Sequence, residues 1–383
     1  MNDIMNIQYP FGDHSIPDMI WGSMNAHPPS HEAVALLSQL YSGQRDQMHF
    51  TIPDAEDRIS RLQAALSRAQ FEDRLSADDG MTALHIVLYY LLAGGRGRWN
   101  EFLMFACHYA RKVLENPSFM HHYPTALEAA PPKDQFVVKT AIWFDVLASI
   151  TTRRPPQLLL YIRALFKPDN SSLGMPTTCS MMMPMGCENT VVWALAETSN
   201  LSYWKRRCEE NGDLSVDKLV QRVREIEPYL ADPILPIGQL ENCSRFLASE
   251  IFRTSTKLFL KSVESGDFPH VQEIRDSVFE TIDAIQDFLK GIGGGGIGTD
   301  NRYRSAMRST RFGSYICGSL TDNRGVLREL TTYLESNMAH EGVGNCADVM
   351  HLLAEIHYTK LASGPRRSAP WRKQLVLKGV LLI

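Results

Sequence analysis

No C-x-x-C pair occurs anywhere in the 383 residues. The seven cysteines stand at 107, 179, 187, 208, 243, 317 and 346, an odd number without framework spacing. That excludes a ribbon of paired zinc cysteines and a small disulfide scaffold, and it fits free, packed thiols in a reducing compartment. Long apolar runs are missing too. The longest, Ile86 to Ala93, is closed by Gly94 and Gly95 and is too short to cross a bilayer. The opening stretch "MNDIMNIQYPFGDHSIPDMIWG" has no basic segment leading into an apolar one, so no secretory signal is visible. Positive charge is also short, with 39 Lys and Arg against 43 Asp and Glu and a net charge of −4. That balance lacks the basic excess that grips a nucleic-acid backbone. The expectation is a soluble intracellular protein without membrane contact.

Alternation of apolar and polar residues is scarce, and no repeat of fixed period is found. What is present is the helical period. Val271, Ile274, Val278, Ile282, Ile285 and Leu289 form one stripe over His270 to Lys290. Val216, Leu219, Val220, Val223 and Ile226 form another, capped by Ser215 and stopped by Pro228. Met81 to Ala93 reads as a buried helix, and Trp99 to Leu114 and Gln135 to Ile150 follow it. Helical patterning continues over 188–197, 201–208, 238–263, 326–338 and 346–361. Residues 1 to about 50, with Pro10, Pro17, Pro28 and Pro29 and no sustained period, read as an extended arm. The fold class expected is therefore all-α: one large multi-helix domain over 51–383 behind an extended N-terminal arm.

The string "KGIGGGGIGTD" contains G-x-G-x-x-G at Gly291, Gly293 and Gly296. A dinucleotide cradle needs a strand before the glycines and a helix starting within them. Here the strongest helical stripe precedes them and a polar stretch follows, so the string reads as a helix end and a connector.

Other chemical candidates fare no better. His351, Glu355 and His357 do not have the spacing of H-E-x-x-H, because the two histidines are six apart. His121 and His122 sit in a proline-rich loop without matching ligands. G-x-S-x-G is absent. Asp78 and Asp79 lack the third carboxylate of an aspartate-rich terpenoid cyclase motif, which leaves a helical enzyme as the least supported class. Met175, Met181, Met182, Met183 and Met185 crowd one loop, which suits either a plug for an irregular core gap or a pocket for an apolar ligand or partner. Arg366, Arg367, Arg372 and Lys373 form a broken basic cluster that reads as a solvated loop or an aid to nuclear import.

Several segments together carry a resemblance. "LSADDGMTALHIVLYYLLAG" with "RWNEFLMFACHYARKVL" is similar to an early helix pair, and "AIWFDVLASITTRRPPQL" to a Trp-x-Asp helix with an Arg-Pro turn. "MGCENTVVWALAETSNLSYWK", "GDLSVDKLVQRVREIEPYL", "YICGSLTDNRGVLREL", "EGVGNCADVMHLLAEIH" and "PWRKQLVLKGVLLI" continue it in order. Over about residues 55 to 383 the chain resembles the fungal-specific transcription factor domain that follows a binuclear zinc-cluster module. The module itself is not matched, since its six cysteines have no counterpart before Cys107. The form resembles regulators of fungal secondary-metabolite gene clusters, those of trichothecene clusters among them.

The resemblance implies a nuclear, non-enzymatic regulator that reaches DNA indirectly. Its partner would be a DNA-binding regulator or a second copy of the chain, with a small apolar ligand as the alternative input. It implies no cofactor, no metal and no DNA-contacting residue here, and it assigns structural roles to Trp143, Asp145, Arg154, Cys187, Trp193, Trp204 and Trp371.

Overall fold

Residues 15–46 form two helices, α1 (Ser15–Ala26) and α2 (Pro28–Asp46), in place of the extended arm that the prolines suggest for residues 1–50. Those prolines sit where a helix tolerates them. Pro17 lies in the first turn of α1 and Pro28 and Pro29 open α2, where a missing N–H costs nothing. Ile16, Ile20, Leu36, Leu37 and Leu40 are buried, so both helices belong to the core. The computed structural model describes residues 15–46, 50–168, 179–234, 243–292, 311–341, 345–363 and 368–382. Among the described residues every regular element is helical.

Five helices follow: α3 (Ala55–Phe71), α4 (Ala77–Leu92), α5 (Trp99–Leu114), α6 (Tyr123–Ala129) and α7 (Pro132–Thr152). A reciprocal capping box starts α4, with Ser76 and Asp79 each accepting from the other's backbone N–H. Apolar residues all round make α4 and α7 interior helices. In α7 every residue from Phe136 to Thr151 is buried. Helix α4 packs between α2 and α5, and α5 packs on α7.

Beyond it come α8 (Leu159–Phe166), the short α9 (Met182–Met185), α10 (Asn189–Asn211), α11 (Val216–Ile226) with a 3₁₀ turn over Glu227–Leu230, and α12 (Cys243–Ser265). The two patterned segments at 188–197 and 201–208 are one helix: Thr198 returns its hydroxyl to the Ala194 carbonyl at 2.7 Å and the ladder runs on. Then follow α13 (Gln272–Ile292), α14 (Arg311–Ser319), α15 (Arg324–Glu341), α16 (Cys346–Ser363) and α17 (Trp371–Lys378). Helices α12 and α13 form the tightest pair, joined by buried Arg253, whose guanidinium reaches Glu250 at 2.6 Å and Glu280 at 2.7 Å. Helix α13 runs through Gly291, so a helix precedes the glycine string, and Gly293 to Gly298 lie outside the described residues.

The segment after α17 returns to the centre. Leu381 N–H donates to the Gly95 carbonyl at 2.8 Å, and Asn345 Nδ2 donates to the Leu381 carbonyl at 2.5 Å. Thr151 Oγ1 donates to the Val380 carbonyl at 2.8 Å, and Trp99 Nε1 to that of Gly379 at 3.0 Å. Val380, Leu381 and Leu382 are fully buried. Gly95 has φ of +77°, and a Cβ there would stand 3.0 Å from the Leu381 carbonyl oxygen, so this seat requires glycine.

Candidate functional site

Of the residues assigned structural roles, Trp143 and Asp145 lie in α7. Trp143 meets Phe252 of α12 edge-on, with ring centroids 4.8 Å apart. Asp145 is buried and accepts the Leu158 N–H at 2.8 Å, tying α7 to the turn that Pro155 and Pro156 impose. Burial pushes the Asp145 carboxyl up to about 6, while backbone donors from Leu158 and Gln157 pull it the other way. Arg154 is exposed, and the residue that closes α7 is Arg153, in the left-handed region at φ of 54°. Cys187 is buried at the entry to α10, and burial raises its thiol pKa. Trp371 is fully buried, edge-on to Phe259 and Tyr315, and its carbonyl accepts from the Tyr315 hydroxyl at 2.9 Å.

The methionine loop is partly core. Met181 is fully buried and Met185 nearly so, Met182 and Met183 are half-buried, and Met175 lies outside the described residues. Asn189 accepts the Met181 N–H at 2.8 Å, and the buried Lys139 ammonium donates to the Met183 carbonyl at 3.3 Å. The four cavities described around these helices have no methionine in their linings.

The groups weighed for chemistry are committed locally. Asp78 pairs with Lys133 at 2.7 Å and accepts from Ser23, while Asp79 caps α4. His122 caps α6, and its Nδ1 lies 2.6 Å from Thr125 Oγ1. Glu355 pairs with Lys378 at 2.9 Å, and His357 Nε2 stands 2.9 Å from the Gly318 carbonyl. No cluster of three metal-ligating side chains occurs among the described residues. One arrangement has the outline of a catalytic triad: His27 Nδ1 is 2.9 Å from Ser30 Oγ and its Nε2 is 3.3 Å from Asp79. Ser30 is fully buried, and its hydroxyl already meets Ser23, Thr82 and the Asp78 carbonyl at 2.8–3.1 Å. No acyl group can reach it; the network locks α1 and α2 onto α4.

The largest described concavity is a groove of about 1030 Å³ between α8, α10 and α11. Its walls follow from local sequence. Helix α11 buries Leu219, Val223 and Ile226, which leaves Lys218, Arg222 and Arg224 facing the groove, and Ser215 caps it by accepting the Lys218 N–H at 3.3 Å. Pro228 turns the chain into the 3₁₀ turn, which lays Tyr229 edge-on to Trp193 at 5.2 Å. Trp204, half-buried, carries the Arg222 guanidinium 4.2 Å above its ring. Arg163 forks onto Glu197 at 2.5 and 2.8 Å across the floor. Trp193 is buried, and its Nε1 has no hydrogen-bond partner among the described residues. Of these residues, sequence reading singles out Trp193 and Trp204 as anchors of the core or its edges; Arg163, Glu197 and Tyr229 are unmarked because the groove joins helices distant along the chain.

The described helices form an all-helical domain with a groove walled by cations and aromatic edges. The chain belongs to the family described as the fungal specific transcription factor domain, which matches residues 21–356. It is 31% identical over 110 residues to the trichothecene biosynthesis transcription regulator TRI10 of Fusarium sporotrichioides, covering 29% of this chain and 26% of that protein. It is 35% identical over 98 residues to TRI10 of Trichoderma arundinaceum, covering 26% and 23%. It is 30% identical over 115 residues to the ustiloxin B cluster transcription factor ustR of Aspergillus flavus, covering 27% and 20%. The chain thus spans about a quarter of the length of these curated relatives. No solved structure matches it. No helix among the described residues is long and apolar enough to cross a membrane.

Proposed function

We propose that this chain acts in the nucleus to control transcription of a fungal secondary-metabolite gene set, and that it reaches DNA through a protein partner. The observation carrying this reading is the family match over residues 21–356. The relatives named above, regulators of trichothecene biosynthesis and of the ustiloxin B cluster, support the gene-cluster part. The partner part rests on charge: 39 Lys and Arg against 43 Asp and Glu, a net charge of −4, give this stretch no basic excess to hold a nucleic-acid backbone. The partner is a zinc-cluster regulator or a second copy of this chain. Chromatin immunoprecipitation with transcript profiling after deletion tests the reading. Promoter occupancy that needs the partner and a changed cluster transcript level are expected; no occupancy and unchanged transcripts would refute it.

The groove favours a second reading, a small-molecule sensor. Flat aromatic edges at Trp193 and Tyr229 beside Arg222 and Lys218 suit an amphipathic metabolite better than the wholly apolar one that the methionines suggest. Titrating the cluster's own product should then shift tryptophan fluorescence in the wild type and not in Trp193→Phe.

A further inference from the structure

A second pocket, of about 460 Å³, opens on another side of α10, between the end of α7, the end of α12 and the start of α17. Five basic side chains line it, Arg153, Lys205, Arg206, Arg372 and Lys373, against two carboxylates, Glu209 and Asp267. The carboxylates are spoken for. Asp267 pairs with Arg372, whose Nη2 also donates to Ser262 Oγ at 2.7 Å. Glu209 stands 3.8 Å from Lys205, which donates to the Val263 carbonyl at 2.7 Å.

Arg153 differs from its neighbours. Its carbonyl is held by Arg206 at 3.1 Å, yet its own half-buried guanidinium has no hydrogen bond or ion pair among the described residues. Its backbone occupies the left-handed region, a costly conformation for a long side chain at the end of a helix. Burial lowers its pKa, and the nearby charges of Arg206 and Arg372 lower it further, while Asp267 and Glu210 pull it up.

Sharing Arg153, Ser202 and Arg372 with this pocket is a void of about 10 Å³, lined also by Ser199 and Trp371. Trp371 and Ser199 are both more than nine-tenths buried, and Trp371 Nε1 and Ser199 Oγ have no hydrogen-bond partner among the described residues. Arg372 Nε is likewise buried without a partner. Buried donors rarely stay unmet: Arg372 Nε and the Arg153 guanidinium border the pocket and are available to acceptor oxygens there, while Trp371 Nε1 and Ser199 Oγ border only the small void.

We propose that this pocket binds a small oxyanion, a phosphate ester or a carboxylate metabolite, with Arg153 as its principal contact. A nucleic-acid backbone is disfavoured, because the pocket is concave, within the size range of a small-ligand site, and set in a chain of net charge −4. The occupant would bridge α7, α10 and α17 and so tighten the C-terminal clamp. This inference is independent of whether the chain controls genes.

The test is calorimetric titration and thermal denaturation of the full chain with inorganic phosphate, glucose 6-phosphate and citrate, against potassium chloride of equal ionic strength. Saturable binding with a raised Tm is expected. Arg153→Gly, which relieves the positive φ, and Arg153→Asn, which tolerates it, should each weaken binding at least about tenfold. Arg61→Gln, on the exposed face of α3, should stay within about twofold, as a residue outside the pocket. Tighter binding of the phosphates assigns a phosphate ester, tighter binding of citrate a carboxylate, and either sustains the proposal. Absence of saturable binding to all three, wild-type affinity in both Arg153 variants, or binding confined to a duplex DNA oligonucleotide would overturn it.

Discussion

Asp145 accepts the backbone N–H of Leu158 at 2.8 Å, so a carboxylate inside the central helix organises the turn that leads out of it. Asp145→Ala should leave that buried donor unmet and cost about 1–3 kcal/mol of stability. Asp145→Asn keeps an acceptor and should cost far less. Chemical denaturation of the two variants at pH 7 decides it: equal losses would show that the hydrogen bond is not what Asp145 supplies.

The same residue and His85 set opposing pH dependences. The Asp145 carboxyl, raised from 3.8 to about 6, contributes stability that is full below its ordinary value and lost as pH climbs through 6. His85 is fully buried, and burial lowers it from 6.5 to about 4, so its contribution is full above 6.5 and lost as pH falls toward 4. Each amounts to about 3 kcal/mol across its window. In the wild type the two slopes oppose each other. Asp145→Asn should unmask loss of stability on acidification, and His85→Met should unmask loss on raising pH from 4 to 6. Denaturant midpoints measured from pH 4 to 7 report both slopes, and parallel curves for all three proteins would contradict the assignment.

Neither ring nitrogen of His85 has a hydrogen-bond partner among the described residues. His85→Met should therefore be neutral or stabilising at pH 7, since it removes two unmet polar atoms from the interior. A loss above about 2 kcal/mol would mean that the imidazole has a polar function.

Ser30 should resist a fluorophosphonate probe in the folded protein despite its histidine neighbour, because it is fully buried and its hydroxyl is already engaged. Ser30→Ala should cost about 1–3 kcal/mol by breaking the network to Ser23, Thr82 and Asp78. Labelling of the native protein at Ser30 would reopen the case for catalysis.

Gly95→Ala should cost more than the usual glycine-to-alanine change. It adds a Cβ at positive φ and 3.0 Å from the Leu381 carbonyl oxygen, and a loss of about 2 kcal/mol or more in denaturant titration is expected. An unchanged midpoint would show that the seat can shift.

The helical class is legible because periodicity is a local property. The stripe from Val271 to Leu289 marks α13, and Ser215 with Pro228 brackets α11 to within a residue. The first two helices escape such reading, because Pro17, Pro28 and Pro29 count as breakers until their place in a first turn is known. Trp143 and Asp145 lie within α7, Arg154 is exposed just beyond it, and Arg153 closes the helix. Which of two adjacent arginines turns inward depends on the left-handed backbone at Arg153, and both have the same letter. The anion pocket and the groove are invisible to spacing, since each collects residues from three or more distant segments.

The seat formed by Gly95, Thr151, Asn345 and Trp99 also orders events during synthesis. Residues 379–382 fill it, so the interior cannot close while they are still inside the ribosomal tunnel. A chain cut shortly before Gly379 would thus keep α1 to α16 whole and leave the domain without its keystone.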